Sequence, residues 1–167
     1  MKTLLAGCAF ALLSITTALA APLGQPAGET VLTITGDIAN TNGDGVATFD
    51  KAMLEALERR SATMETPWTE GKVTFEGPLL KAILDAAGAQ GKTLIVKALN
   101  DYSAEVPMED AQDFPTMLAI RMNGEEMSVR DKGPLFMIYP FDKHPELYNE
   151  KYFSRSVWQI KEIEVVD

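Results

Sequence analysis

The sequence predicts an α+β fold in which mixed β-sheets are combined with short helices. Alternation of apolar and polar residues marks short strands, and Val31-Leu32-Thr33-Ile34-Thr35 shows it clearly. The pair Asn123-Gly124 between two apolar segments predicts a tight hairpin, because both residues tolerate positive φ angles. Segments with helical spacing are short and do not alternate regularly with the strands. A regular parallel βαβ array is therefore not expected.

The first twenty residues have the features of a secretory signal peptide. Lys2 precedes a short apolar run, and Ala18-Leu19-Ala20 is a small-x-small cleavage signal. Leu5-Ala6-Gly7-Cys8 also matches a lipoprotein box, but the hydrophobic run continues past Cys8, which favours cleavage after Ala20. We therefore expect a periplasmic or secreted protein that is not inserted in a membrane.

Composition limits the chemistry of the mature chain. We expect a flexible lead-in over residues 21–29 and one domain over residues 30–167, a length that can bury a core. The formal net charge of −9 argues against nucleic acid or anionic lipid as a partner. Cys8 is the only cysteine and leaves with the signal peptide, so a disulfide, a catalytic thiol and a thiolate metal ligand are excluded from the mature protein.

Two helices are predicted. Asp50 is a candidate N-cap for a helix that continues to about Arg59-Arg60, where cations suit the helix dipole. Pro78 suits a first helical position, and residues 79–84 form one apolar face of a helix that Gly88 ends. Further strands are expected at residues 72–75, 93–99, 104–107, 117–122, 125–129, 135–139, 157–160 and 163–166.

The segment from Asn40 to Lys51 is similar to a calcium-binding EF-hand loop. Asn40, Asn42 and Asp44 occupy its first, third and fifth positions, with Gly45 at the sixth. The twelfth position requires a bidentate carboxylate and holds Lys51 instead. We therefore expect a glycine-rich turn before a capped helix, and a weak calcium site is the alternative.

Catalytic constellations of the common kinds are not found in the sequence. His144 is the only histidine and lies in a polar segment, so it lacks histidine or cysteine partners for zinc or haem. The chain has no glycine-rich phosphate loop and no dinucleotide fingerprint. Its acidic residues are scattered, and no pair of them is singled out for acid–base catalysis. We predict that His144 is a solvated loop residue.

A set of segments in a fixed order carries a resemblance to a known family. The segments are Trp68 with Phe75-Glu76-Gly77-Pro78-Leu79-Leu80; Asn100-Asp101-Tyr102-Ser103 with Val106-Pro107; Asn123-Gly124 with Gly133-Pro134-Leu135 and Pro140; and Arg155-Ser156-Val157 with Ile160 and Ile163. Together they resemble the molybdopterin-binding domain of oxidoreductases of the sulfite oxidase and methionine-sulfoxide-reductase type. The resemblance covers about residues 63–166 and implies the mixed-sheet fold of that domain.

The resemblance also implies a cofactor cleft, and the sequence departs from the family at three positions in it. The cysteine that binds molybdenum in the family corresponds to Met64, whose neutral thioether cannot replace a thiolate. Phe136 and Trp158 stand where the family has an arginine and a lysine, cations suited to the pterin phosphate. Residues expected to converge on the cleft are Met64, Trp68, Asn100, Asp101, Tyr102, Arg155 and Trp158.

Three functions are compatible with these observations. The favoured one is a domain without cofactor that binds a small molecule or a periplasmic protein, since fold alone does not fix function. The second is a molybdopterin-dependent oxidoreductase with atypical ligation of the metal. The third is a calcium-dependent structural module built on residues 40–51. In the favoured case, Met64 and Trp68 either line the cleft or fill the core.

Overall fold

The computed structural model describes residues 23–167. The predicted signal peptide with Cys8 and the first two residues of the lead-in lie outside the described residues. The strands are β1 (Thr30–Gly36), β2 (Ala47–Asp50), β3 (Arg59–Glu65), β4 (Lys72–Pro78), β5 (Thr93–Ala98), β6 (Ser103–Pro107), β7 (Met117–Ala119), β8 (Arg121–Met122), β9 (Glu125–Glu126), β10 (Phe136–Ile138) and β11 (Ile160–Val166). The α-helices are α1 (Lys51–Glu55), α2 (Leu80–Ala87), α3 (Glu109–Gln112) and α4 (Glu150–Arg155), and 3₁₀ turns cover Val129–Asp131 and Pro145–Leu147.

A mixed five-stranded sheet has the strand order β2-β1-β11-β5-β6. β1 pairs in parallel with β11, and the other neighbours are antiparallel. Alternate residues of its strands, such as Leu32 and Ile34 in β1 and Leu94 and Val96 in β5, are fully buried. This period of two is the one expected of a sheet that buries one face, and it confirms the predicted α+β class.

Two smaller sheets extend the fold around the core. β3, β4, β8 and β9 form an antiparallel sheet, and β7 pairs with β10. α2 buries Leu80, Ile83 and Leu84, and ends at Gly88, whose φ of 65° is the left-handed conformation that glycine adopts without strain. Among helices of the described residues, none has the length and apolar character required to cross a membrane.

Two predicted element boundaries were wrong because strand pairing overrides local helix signals. The helix that Asp50 caps ends at Glu55, and Arg59 and Arg60 pair with Pro78 and Gly77 in the β3–β4 ladder. Pro78 is therefore the last residue of β4 and not a first helical residue, and α2 begins at Leu80. Proline is tolerated at the end of a strand, where its missing N–H costs little.

The predicted hairpin at Asn123-Gly124 is present, but its first strand is divided. Asn123 and Gly124 have φ angles of 54° and 82°, and β8 and β9 pair across them. β7, in contrast, pairs with β10 in a different sheet, so the segment 117–122 changes sheets at Ile120. The predicted strand over 157–160 is also wrong. Gln159 has a φ of 54°, which interrupts an extended backbone, and β11 begins only at Ile160.

Candidate functional site

A cavity of about 350 Å³ opens beside the end of β5 and the helix α4. That volume lies in the range of small-molecule sites. Aromatic rings form much of its wall, and a single acidic residue lies among them. The lining residues are Trp68, Ala98, Asn100, Tyr102, Glu150, Phe153, Ser154, Ser156, Val157 and Trp158.

Trp68 is presented by a tight turn between β3 and β4. Thr66 and Thr69 hold the turn through a hydrogen bond between their side-chain oxygens, 2.8 Å apart. The indole packs edge-on against Phe136, with ring centroids 5.4 Å apart, and against Phe153 at 5.7 Å. Trp68 therefore packs partly against the core and also lines the cavity, so both interpretations of this residue in the sequence apply.

Trp158 and Phe136 stand at the two positions where the resemblance implies a cation, and they lie opposite each other. Phe136 and Trp158 form an isolated antiparallel bridge, and their rings meet edge-to-face at 6.0 Å. Phe136 is fully buried, whereas Trp158 is 37% exposed. Trp158 is also 6.3 Å from Trp68, so the two tryptophans of the chain are neighbours in the wall. Edge-to-face pairs of this kind add to the stability obtained from burial.

The turn after β5 contributes two of its three predicted residues. The Asn100 side-chain oxygen accepts a hydrogen bond from the Tyr102 backbone N–H, and the Tyr102 hydroxyl donates to the Ser154 carbonyl oxygen at 2.9 Å. Both residues line the cavity. Asp101 has a φ of 66° and is exposed, with its carboxylate 3.4 Å from the Lys161 ammonium. It does not line the cavity.

The helix α4, which supplies Glu150 and Phe153 to the cavity, was not predicted from the sequence. Asn149 caps this helix by accepting a hydrogen bond from the Lys151 N–H, Glu150 lies in the first turn and Arg155 in the last. The order Asn149, Glu150 and Arg155 is a helix signal that could have identified the segment, because a capping residue and an acid suit the start of a helix and a cation suits its end. Its shortness and its aromatic content conceal the pattern.

The hydroxyl groups of the lining are already used as donors. Tyr102 donates to the Ser154 carbonyl, the Ser154 hydroxyl to the Lys151 carbonyl, and the Ser156 hydroxyl to the Tyr152 carbonyl. The last two bonds are both 2.8 Å long. Because each hydroxyl has one proton, these three groups offer acceptor oxygens, and not donors, to a ligand.

Arg155 belongs to a buried polar network and does not line the cavity. Its guanidinium donates to the Asp110 carboxylate at 2.8 Å, and Tyr139 donates its hydroxyl proton to the same oxygen at 2.7 Å. Burial, and after it the charge of Asp110, raises the pKa of Tyr139 far above its usual value, so the phenol stays a neutral donor. The one family cation that the chain retains is therefore engaged in a structural ion pair.

Met64 lies in β3, is almost fully buried and is separated from the first cavity. It lines a second, more open depression together with Phe141 and Tyr148. Phe141 packs against Trp68, with 6.5 Å between the ring centroids, so aromatic side chains connect the walls of the two depressions. Of the seven residues predicted to converge, Trp68, Asn100, Tyr102 and Trp158 line one cavity, whereas Met64, Asp101 and Arg155 do not.

The loop that is similar to an EF-hand uses its polar groups in hydrogen bonds within the protein, both inside the loop and to other segments. Asn42 is buried, and its amide donates to the Gly24 and Thr48 carbonyls and accepts from the Thr48 N–H and hydroxyl, all at 2.8–2.9 Å. The Asn40 amide donates to the Ala86 carbonyl, and the Lys51 ammonium pairs with Glu126. Between residues 23 and 167, no cluster of three or more His, Cys, Asp or Glu side chains is arranged for a metal ion.

His144 lies in the turn before Pro145–Leu147, where its ring nitrogen Nδ1 is 2.9 Å from the Glu146 carboxylate. Two contacts lower the pKa of the Glu146 carboxyl. The larger is the hydrogen bond that it accepts from the Glu146 backbone N–H, and the smaller is the contact with His144. The ring of Phe114 lies 5.2 Å from the imidazole. These contacts make His144 a partly covered turn residue.

Comparison with known proteins assigns the chain to a family. The model of the oxidoreductase molybdopterin binding domain matches residues 48–167. The chain belongs to this family. Among solved structures, the fold is similar to that of the sulfane dehydrogenase SoxCD from Paracoccus pantotrophus, with a TM-score of 0.61 and 20% sequence identity. The match covers 81% of this chain and 38% of that chain, and at this identity it concerns the fold. No curated protein sequence matches the chain.

The residues of this family member do not fit the cofactor that the family name implies. Met64 provides a thioether in place of a thiolate, and it lies in a wall different from that of Trp158. Phe136 and Trp158 provide aromatic rings in place of two cations, and Arg155 is bound to Asp110. A phosphate in the first cavity would face Glu150 and three hydroxyl groups that already donate elsewhere.

Proposed function

We propose that this chain is an exported family member that works without a molybdenum cofactor and binds a small molecule in the aromatic cavity. The packing of Phe136 against Trp158, with 6.0 Å between the ring centroids, carries the proposal. The resemblance assigns a cation to each of these positions. Two aromatic side chains packed edge-to-face there favour an apolar or aromatic ligand and disfavour a dianionic phosphate, which needs charge-assisted hydrogen bonds.

The ligand site itself is supported by the composition of the wall. Trp68, Phe153 and Trp158 provide large, rigid apolar faces, and Asn100 and Glu150 provide polar groups at the same cavity. A mostly apolar cavity with a few convergent polar groups is the usual form of a small-molecule site. The signal-peptide pattern over residues 1–20 supports export to the periplasm, and we expect the mature chain to begin at Ala21.

Elemental analysis of protein purified from the periplasm of cells that synthesise the cofactor tests the first half of the proposal. We expect trace molybdenum in the wild type and also in Met64→Cys, because the thiolate alone does not restore the missing cations. A family member that retains its cysteine, produced in the same cells, is the control for cofactor supply. Stoichiometric molybdenum in the wild-type protein would instead establish the oxidoreductase with atypical ligation.

A thermal-shift screen of small periplasmic metabolites tests the second half, because a ligand of the folded state raises the Tm by mass action. We expect hits whose effect is lost in Trp158→Leu and kept in Leu99→Ala, which truncates an exposed apolar side chain outside the cavity lining. If no metabolite shifts the Tm, a periplasmic protein becomes the better-supported partner.

N-terminal sequencing of the exported protein tests cleavage before Ala21.

A further inference from the structure

We infer that the aromatic cavity selects a small organic cation, in particular one with a quaternary or tertiary ammonium group. This inference rests on the proposed function and adds the chemical class of its ligand. Trp68, Trp158, Phe153 and Tyr102 present aromatic rings to one cavity. The negative faces of such rings attract a desolvated ammonium group, and tryptophan does so most strongly.

The charges around the cavity favour the same class of ligand. Among the described residues that line it, Glu150 is the only one with a side chain charged at neutral pH. Its carboxylate is exposed in the first turn of α4, where it can meet a positive group without being fully desolvated. The net charge of −9 also raises the local concentration of cations.

The hydroxyl groups of the lining add no donor for an anion. Those of Tyr102, Ser154 and Ser156 donate to backbone carbonyls, so each can only accept from a ligand. The guanidinium of Arg155 is held by Asp110 and stays outside the lining. A quaternary ammonium group needs no hydrogen-bond acceptor of fixed direction, and it suits a wall made of rings and lone pairs.

Trp158 already contacts one cation in the protein. The Lys132 ammonium lies 5.9 Å from the centre of the Trp158 ring, within the distance of a cation–π contact. Lys132 does not line the cavity, whereas Trp158 does, and Trp158 is 37% exposed.

Isothermal titration with choline and with its neutral carbon isostere, dimethylbutanol, separates attraction of a cation from apolar binding of the same shape. We expect choline to bind about tenfold more tightly than the isostere. Glu150→Gln should weaken choline about fivefold and leave the isostere unchanged. Glu109→Gln is the matched control, because it removes the same charge from the first turn of α3, away from the cavity, and should change neither affinity.

Each remaining outcome of the titration decides between the two proposals. Equal affinity for choline and the isostere overturns the inference of a cation and leaves a small-molecule site in place. Binding of neither compound overturns the inference and also weakens the small-molecule proposal, while the metabolite screen then decides the latter independently. Choline binding that survives both Glu150→Gln and Trp158→Leu, with folding verified by circular dichroism, places the cation elsewhere and overturns the inference.

Discussion

The five-stranded sheet and the aromatic cavity are built from different side chains. The sheet buries aliphatic residues in alternation, as Leu32 and Ile34 do in β1, and its polar backbone is satisfied by strand pairing. The cavity wall is rich in aromatic residues, and they are carried by two turns, a short helix and an irregular segment before β11. The difference teaches that the regular sheet supplies the core of the scaffold, whereas the cavity lies on the least regular segments of the fold.

The two regions should therefore respond differently to substitution. Changes in the sheet disturb close backbone contacts and should act on folding. Changes at exposed positions of the cavity wall should alter ligand affinity. Changes in the polar network of Asp110, Tyr139 and Arg155 should instead lower the free energy of unfolding.

Gly36→Ala in β1 should be the most damaging change. Gly36 has a φ of 85°, and a Cβ atom there would lie 2.1 Å from the carbonyl oxygen of Val165 in the paired strand. We expect the free energy of unfolding to fall by about 4 kcal/mol, from backbone strain and the displaced strand. Urea unfolding measures the loss. Gly43→Ala is the control, since a Cβ there meets no heavy atom within 4 Å, and a loss of equal size in both variants would contradict this account.

Asp110→Ala should have the next largest effect, and it acts behind the cavity. The substitution leaves the Arg155 guanidinium and the Tyr139 hydroxyl without their shared acceptor. We expect a loss of about 3 kcal/mol in the free energy of unfolding, because the largely covered Arg155 guanidinium keeps its desolvation cost without its partner. Tyr139→Phe removes one hydrogen bond only and should cost about 1 kcal/mol. Equal losses in the two variants would show that the ion pair with Arg155 contributes nothing to the free energy of unfolding.

The sheet could be predicted from the sequence because its signals are local and repeated. The alternation in β1, the hairpin glycine at 124 and the terminating Gly88 each follow from backbone preferences of a few residues. β3 was not predicted, although Ala62 and Met64 alternate with exposed residues, because its polar residues gave no apolar run. Tertiary pairing with β4 decides that segment, and pairing is not visible in a single stretch of sequence.

The candidate site could be predicted only in part. Trp68, Asn100, Tyr102 and Trp158 were found through the resemblance, and the structure brings them to one cavity. Glu150 and Phe153 were missed with their helix. Arg155 was expected at the cleft, but its partner Asp110 lies 45 residues away in the sequence, so the ion pair that holds it could not be foreseen. Side-chain networks over such separations depend on the finished fold.

Asp50→Asn tests the sheet edge through its dependence on pH. Backbone hydrogen bonds, first from Met53 and then from Gly28, lower the pKa of the Asp50 carboxyl below its usual value of about 3.9. A carboxyl with a lowered pKa in the folded state contributes stability above its unfolded pKa, and this contribution is lost as the pH falls through the folded pKa. We expect the variant to melt a few degrees below the wild type at pH 7, and the gap to narrow below about pH 4.

Calorimetry between pH 3 and pH 7 measures this gap. Asp44→Asn removes the same charge from the exposed turn nearby and is the control for net charge. Asparagine is itself a good N-cap, so the hydrogen bond from the Met53 N–H is retained, whereas the second carboxylate oxygen, which accepts from the Ala27 and Gly28 N–H groups, is lost. A gap that stays constant over the whole pH range would assign the effect to packing and not to the carboxylate.

Lys51→Glu should have the smallest effect and tests whether the loop over residues 40–51 can hold calcium. The substitution supplies the acidic twelfth position that the sequence lacks, and it replaces an exposed ion pair with Glu126 by two like charges that solvent screens. We nevertheless expect millimolar calcium to leave the Tm of the wild type and of the variant almost unchanged. The reason lies in Asn42, whose carbonyl oxygen already accepts two hydrogen bonds from Thr48 and whose amide group donates two more. To bind a cation the loop would have to break the bonds that close it against β2, and weak binding adds little stability by mass action.

A calcium-dependent rise of many degrees in the Tm, abolished by Asp44→Ala, would show that the loop is an ion site and that the sheet edge also carries function.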